Sequence, residues 1–227
     1  MTNLLRRNSV FIGLSLMLIV ALGLALLCVP KGDLHMLLCD RHTPARDTFY
    51  MYYTQVAEWF PYVVCIALLL FCRIGDGVFA SVCMIASSLT TQLLKHLINA
   101  PRPITWFAEH MPEVSLPMTD GVQIHSWYSF PSGHTTSFFA LAFVLVILFT
   151  KKSEPTKIHR TSAYLFQLML FIFAALGGYS RIYLSQHFAL DVFAGIIVGL
   201  CITALFYAIF TRLENKKWVN YRLFSKK

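Results

Sequence analysis

Apolar residues along the chain gather into six runs separated by polar intervals: Val10 to Val29, Met51 to Cys72, Val78 to Ile98, Ser132 to Thr150, Ala163 to Tyr179 and Phe188 to Phe210. A bilayer core asks for about 17 to 25 mostly apolar residues per helix, and every run has that length. The pattern predicts an all-α, polytopic membrane protein with six transmembrane helices, folded as one domain over residues 1–227. The first run follows Arg6 and Arg7, as the apolar part of a secretory leader would. It is longer than the about 7 to 15 residues of such a leader, and no clean small-x-small cleavage site stands directly before Pro30, so it reads as a retained helix.

Composition supports the membrane class, with 57% of residues hydrophobic and only 13% charged. None of the six cysteines forms a C-x-x-C pair and most fall inside apolar runs, so neither a zinc site nor a disulfide framework is indicated. A net charge of +8 could point to nucleic acid, but the cations lie in tails and loops. With the N-terminus inside, six of the 19 lysines and arginines fall outside (Lys31, Arg41, Arg46, Lys95, Arg102 and Arg181), and the others, through Lys226 and Lys227, fall inside. That asymmetry places both termini in the cytoplasm and the protein in the cytoplasmic (inner) membrane, with no nucleic-acid partner.

The connections differ in character. "RIGDG", Arg73 to Gly77, reads as a tight turn between the second and third helices. The outer loop 99–131 lacks strong periodicity over about thirty residues, a length that inside a compact domain signals function or disorder. It carries Trp106, Phe107, His110, His125, Trp127 and Tyr128. With six spans, the outward ends of helices three to six bring Lys95 to Arg102, Ser132 to His134, Ser180 to Arg181 and His187 to Asp191 to one membrane face.

Read singly, these residues have ordinary explanations. Lys95 snorkels to the interface, Arg102 is a loop cation, "PSGH" opens a helix, and His187 with Asp191 forms a capping pair. Together they suit a tetrahedral dianion. Pro101 and Pro103 fix the backbone on either side of Arg102. The polar turn at Ser132 and Gly133 opens a helix, whose free N–H groups and dipole favour an anion. His187 and Asp191, four apart, share one helical face, so the carboxylate can hold one ring nitrogen and leave the other as nucleophile or base. Cations and N–H groups neutralise charge on phosphoryl oxygens, and a second histidine, His134, can protonate a leaving group. Asp191 is the one acid in this set, so no metal cage is formed. Glu58, in "QVAEWF", reads as an interfacial carboxylate, and His96 faces away from Lys95.

The spacing resembles the type 2 phosphatidic acid phosphatase (PAP2) superfamily, whose pattern K-x6-RP, PSGH, SR-x5-H-x3-D is met by Lys95, Arg102 and Pro103, by Pro131 to His134, and by Ser180, Arg181, His187 and Asp191. The resemblance has its motif core at 95–191. It implies a PAP2-like helical bundle and a metal-independent lipid phosphate hydrolase without cofactors. His187 would form a phosphohistidine, Asp191 would orient it, and His134 would be the general acid. Lys95, Arg102, Ser132, Gly133, Ser180 and Arg181 would hold the phosphate. The expected partners are the bilayer and a bacterial lipid phosphate, with lipid A preferred by analogy of the outer loop and undecaprenyl diphosphate or phosphatidylglycerol phosphate as alternatives. A phosphotransferase passing the phosphoryl group to a second lipid, and a non-catalytic lipid-binding or transport protein, fit the same composition.

Overall fold

The computed structural model describes residues 2–39, 41–152 and 157–222; Lys226 and Lys227, and positions 153–156 of the basic fourth-to-fifth connection, lie outside them. The described elements are helices, in the order α1 (Thr2–Arg7), α2 (Ser9–Cys28), α3 (Lys31–Cys39), α4 (Pro44–Gln55), α5 (Trp59–Cys72), α6 (Ile74–Ile98), α7 (Pro103–His110), α8 (Gly133–Lys152), α9 (Lys157–Tyr183), α10 (Ala189–Phe210) and α11 (Lys217–Asn220), with a 3-10 turn at Thr211–Leu213. Five helices are long and apolar enough to cross a membrane, and α4 with α5 makes a sixth span if the bent pair is counted as one.

That bend corrects the second expected span. Met51 to Cys72 is not one helix: α4 and α5 meet at 50°. Pro61 supplies the reason. Inside a continuous helix its ring would clash with the carbonyl four residues back and remove a hydrogen bond, whereas the first turn of a new helix accepts it. Glu58 becomes the N-cap of α5. A second correction concerns "RIGDG", where only Arg73 is extended and Gly75, Asp76 and Gly77 already belong to α6. The two glycines serve close approach, since a Cβ at Gly75 would lie 2.5 Å from Val219 and one at Gly77 2.3 Å from Leu70. The outer loop is also partly helical, because Pro103 starts α7 at a position where a missing N–H costs nothing.

The centre of the bundle is α8, which packs on α6, α9 and α10. Phe138, Phe139, Ala140, Ala142, Val144 and Val146 are wholly buried there. By contrast, Leu16, Met17, Val20 and Leu24 of α2 and Ile85, Leu89 and Leu93 of α6 are exposed. An apolar exterior of this kind is what a bilayer solvates. Glycines bring α10 against α8: a Cβ at Gly195 would lie 2.8 Å from the Ser132 carbonyl oxygen, and one at Gly199 2.7 Å from that of Thr136. The site residues thus rest on helices whose backbones touch.

Candidate active site

Helix ends from α4, α6, α8 and α9, with the α9–α10 connection, enclose a cavity of about 430 Å³. Lys95, Arg102, Gly133, His134, Arg181 and His187 line it, joined by Thr54, Gln55, Glu58, Gln92, Gln123, His125 and Gln186. Six of the nine residues expected from the sequence therefore meet on one wall system.

The remaining three stand behind it. Asp191 is buried beneath His187, with Oδ2 3.5 Å from His187 Nδ1. The same oxygen accepts from the Phe188 N–H at 2.9 Å and from the Ser129 hydroxyl at 2.5 Å. Ser129 Oγ also lies 3.4 Å from His187 Nδ1. With Nδ1 engaged on that side, Nε2 is the ring atom left for the cavity. Burial first, and then Arg102, Arg181 and Lys95, hold the His187 pKa well below the ordinary imidazole value, so the ring is neutral near pH 7. Ser132 caps α8, its Oγ accepting from the Thr135 hydroxyl at 2.9 Å, and its N–H donates to the Asp191 carbonyl at 2.9 Å. Ser180 is fully buried and donates to the Gly177 carbonyl at 2.7 Å. A serine in the interior of a helix often back-bonds in this way, and the fold keeps Ser132 and Ser180 off the cavity surface where a phosphate contact was expected.

Two of the cations, Lys95 and Arg102, are held by the loop backbone. Lys95 donates to the Tyr128 carbonyl. Arg102 donates through Nε to the Trp127 carbonyl at 3.0 Å, while its own N–H meets the Ser126 carbonyl at 2.8 Å. The segment 126–128 thus acts here through its carbonyls, with Trp127 and Tyr128 each somewhat under half exposed. Arg181 donates to Thr54 Oγ1 at 2.6 Å, and its buried Nε has no hydrogen-bond partner among the described residues. Of the two histidines in the outer loop, His125 lines the cavity, whereas His110 stacks on Trp106 with ring centroids 4.6 Å apart.

Three residues of the site carry no signal in the motif. Gln186 accepts from Arg102 Nη1 at 3.0 Å, and its buried Nε2 has no partner among the described residues. Ser129 braces the His187–Asp191 pair. Glu58, assigned above to the interface, reaches His134, with Oε1 3.3 Å from Nε2. The bend after α4 puts it there, and only the proline three residues later hinted at the bend.

Beneath the site, His35 of α3 is fully buried, with Nε2 3.3 Å from Ser185 Oγ and its ring at the edge of Phe188. Burial lowers its pKa to about 4. The unfolded chain takes up this proton near pH 6.5 and the folded one near 4, so the stability His35 contributes is complete above 6.5 and is lost as pH falls toward 4. In detergent, the melting midpoint should drop between pH 7 and 5, and His35→Gln should flatten that slope.

A neutral, carboxylate-backed histidine facing three cations and a helix N-terminus can attack, hold and release a tetrahedral oxyanion. That chemistry and the helical bundle define a class of membrane phosphatase. The PAP2 superfamily model matches residues 76–214, and the chain belongs to that superfamily. It is a lipid phosphatase and a multi-pass membrane protein. It is 28% identical over 178 residues to the lipid A 4'-phosphatase of Porphyromonas gingivalis, covering 76% of this chain and 70% of that protein. It is 25% identical to the undecaprenyl-diphosphatase BcrC of Bacillus subtilis, covering 74% of this chain and 77% of the relative. Among solved structures it resembles Aquifex aeolicus LpxE, with a TM-score of 0.61 and 25% identity over 78% of this chain and 93% of that one. The PAP2-type phosphatidylglycerolphosphate phosphatase of Bacillus subtilis shares the fold, with a TM-score of 0.59 and 21% identity over 93% of this chain and 99% of that one.

Proposed function

We propose that this protein hydrolyses a phosphate ester of bacterial lipid A at the periplasmic face of the inner membrane, with both termini in the cytoplasm. The observation that carries the chemistry is His187, buried in the cavity wall with its Nδ1 turned to Asp191 and Ser129 and the guanidinium of Arg102 fixed nearby by Gln186. Nε2 of His187 attacks phosphorus and the bond to the lipid oxygen breaks. His134 gives that oxygen its proton. Water then attacks the phosphohistidine, losing its proton to His134, and the P–N bond breaks to free inorganic phosphate. Lys95, Arg102, Arg181 and the N–H groups at Gly133 and His134 balance the charge on the three phosphoryl oxygens.

Similarity to a lipid A 4'-phosphatase over 76% of the chain supports the choice of lipid. The excess of lysine and arginine in the tails and the α8–α9 connection supports the orientation. Purified protein incubated with lipid A, undecaprenyl diphosphate and phosphatidylglycerol phosphate should release phosphate fastest from lipid A. A faster rate on either other lipid would overturn that choice, and label recovered on a second lipid would make the protein a transferase.

A further inference from the structure

Glu58 is the one carboxylate among the described residues lining a cavity otherwise furnished with cations, imidazoles and neutral amides. A negative charge beside an anion site opposes binding unless it lies where the substrate carries none. Its position identifies that place. Glu58 Oε1 is 3.3 Å from His134 Nε2, and its side chain is 56% exposed. A general acid must come within about 3.2 Å of the oxygen it protonates. On the reading of His134 as that acid, the leaving oxygen and Glu58 share one donor, so whatever is bonded to the leaving oxygen sits beside the carboxylate. The nearby lining from α4, Thr54 and Gln55, is neutral and polar, and the cation beside it, Arg181, donates to Thr54 Oγ1 at 2.6 Å and is assigned to the transferred phosphoryl group.

We infer that Glu58 selects substrates by the charge of the leaving group, admitting phosphate monoesters of neutral alcohols, sugars included, and discriminating against diphosphates. A neutral alcohol leaves as a hydroxyl after taking the His134 proton, and neighbouring hydroxyl or amide N–H groups can donate to Glu58. A diphosphate leaves as a lipid monophosphate, whose charge faces the carboxylate. The inference rests on the assignment of His187 and His134 to phosphoryl transfer. Since Glu58 is half open to water, the repulsion is screened, and about tenfold discrimination is expected instead of an absolute block.

The test compares the monophosphate and diphosphate of one isoprenyl alcohol of fixed chain length, so that only the second phosphate differs. In the wild-type protein kcat/KM should favour the monophosphate by about tenfold, and high salt should narrow the gap. Glu58→Gln should bring the ratio close to one and Glu58→Lys should invert it, whatever happens to overall turnover. Glu113→Gln, which removes an exposed carboxylate from the outer loop, should leave the ratio unchanged. A ratio indifferent to both Glu58 variants, or moved equally by Glu113→Gln, overturns the inference while leaving the phosphatase intact. Phosphate release that survives His187→Ala overturns instead the assignment beneath it.

Discussion

Replacing His187 by alanine should reduce phosphate release by at least about 10³-fold, the scale on which loss of an attacking group acts in enzymes whose nucleophile and base work as a unit. No other cavity residue has the same position. His125 belongs to the loop and His134 meets the half-open carboxylate of Glu58, while His187 has a buried carboxylate behind it, Asp191 at 3.5 Å. The substitution also removes the ring from a site where Asp191 stays buried, but Ser129 and the Phe188 N–H still satisfy that carboxylate. The variant should therefore fold and insert. Two measurements check the outcome. Phosphate release from a lipid substrate should fall to background, and label trapped on the wild-type protein, acid-labile and alkali-stable as a phosphohistidine is, should be missing from the variant. Turnover within tenfold of wild type would remove His187 from the role of nucleophile.

The second large effect comes from a residue that touches no substrate. Gly195→Ala puts a methyl group 2.8 Å from the Ser132 carbonyl oxygen and 3.0 Å from Thr135 Cβ. The first of these is backbone and cannot rotate away. To reach ordinary contact, α10 and the first turn of α8 must separate by several tenths of an ångström. Overpacking of this kind costs about 1 to 3 kcal/mol, read as a lower melting midpoint. The same separation stretches the Ser132 N–H to Asp191 carbonyl bond, now 2.9 Å, and moves His134 away from His187. Since a misplacement near 1 Å costs about 10²-fold in rate, activity should fall roughly ten- to hundredfold. Gly23→Ala is the matched control, because its methyl would meet only Phe193, at 3.6 Å, and both stability and turnover should stay near wild type.

The apolar runs identified the spans of α2, α6, α8, α9 and α10 because in a bilayer the solvent rewards length and hydrophobicity before any tertiary contact forms. The motif residues were equally legible, for their chemistry is costly at that depth without a purpose. What hydropathy did not register was a broken backbone inside an apolar run. Trp59, Phe60 and Pro61 are all compatible with lipid, and only the stereochemistry of Pro61 argues for the bend that turns Glu58 toward His134. Gln186 and Ser129 were illegible for another reason. Their value lies in partners distant in sequence, Arg102 and Asp191, which only the folded chain supplies. Ser180 and Ser132 illustrate the converse, since motif membership did not distinguish a hydroxyl that meets the cavity from one that ties backbone to backbone.

The close seating of α10 on α8 also sets an order of assembly. Lys95, Arg102, His134 and Arg181 have all emerged before α10 is made, yet Asp191, which receives the Ser132 N–H and stands behind His187, arrives with the last long helix. Glycines 195 and 199 let that helix close the cluster from behind. During synthesis a half-inserted chain carries Lys95, Arg102, His134 and Arg181 but not the carboxylate that stands behind His187. On the proposed role of His187 as nucleophile, competence to attack phosphorus is deferred until the α10 span has entered the membrane.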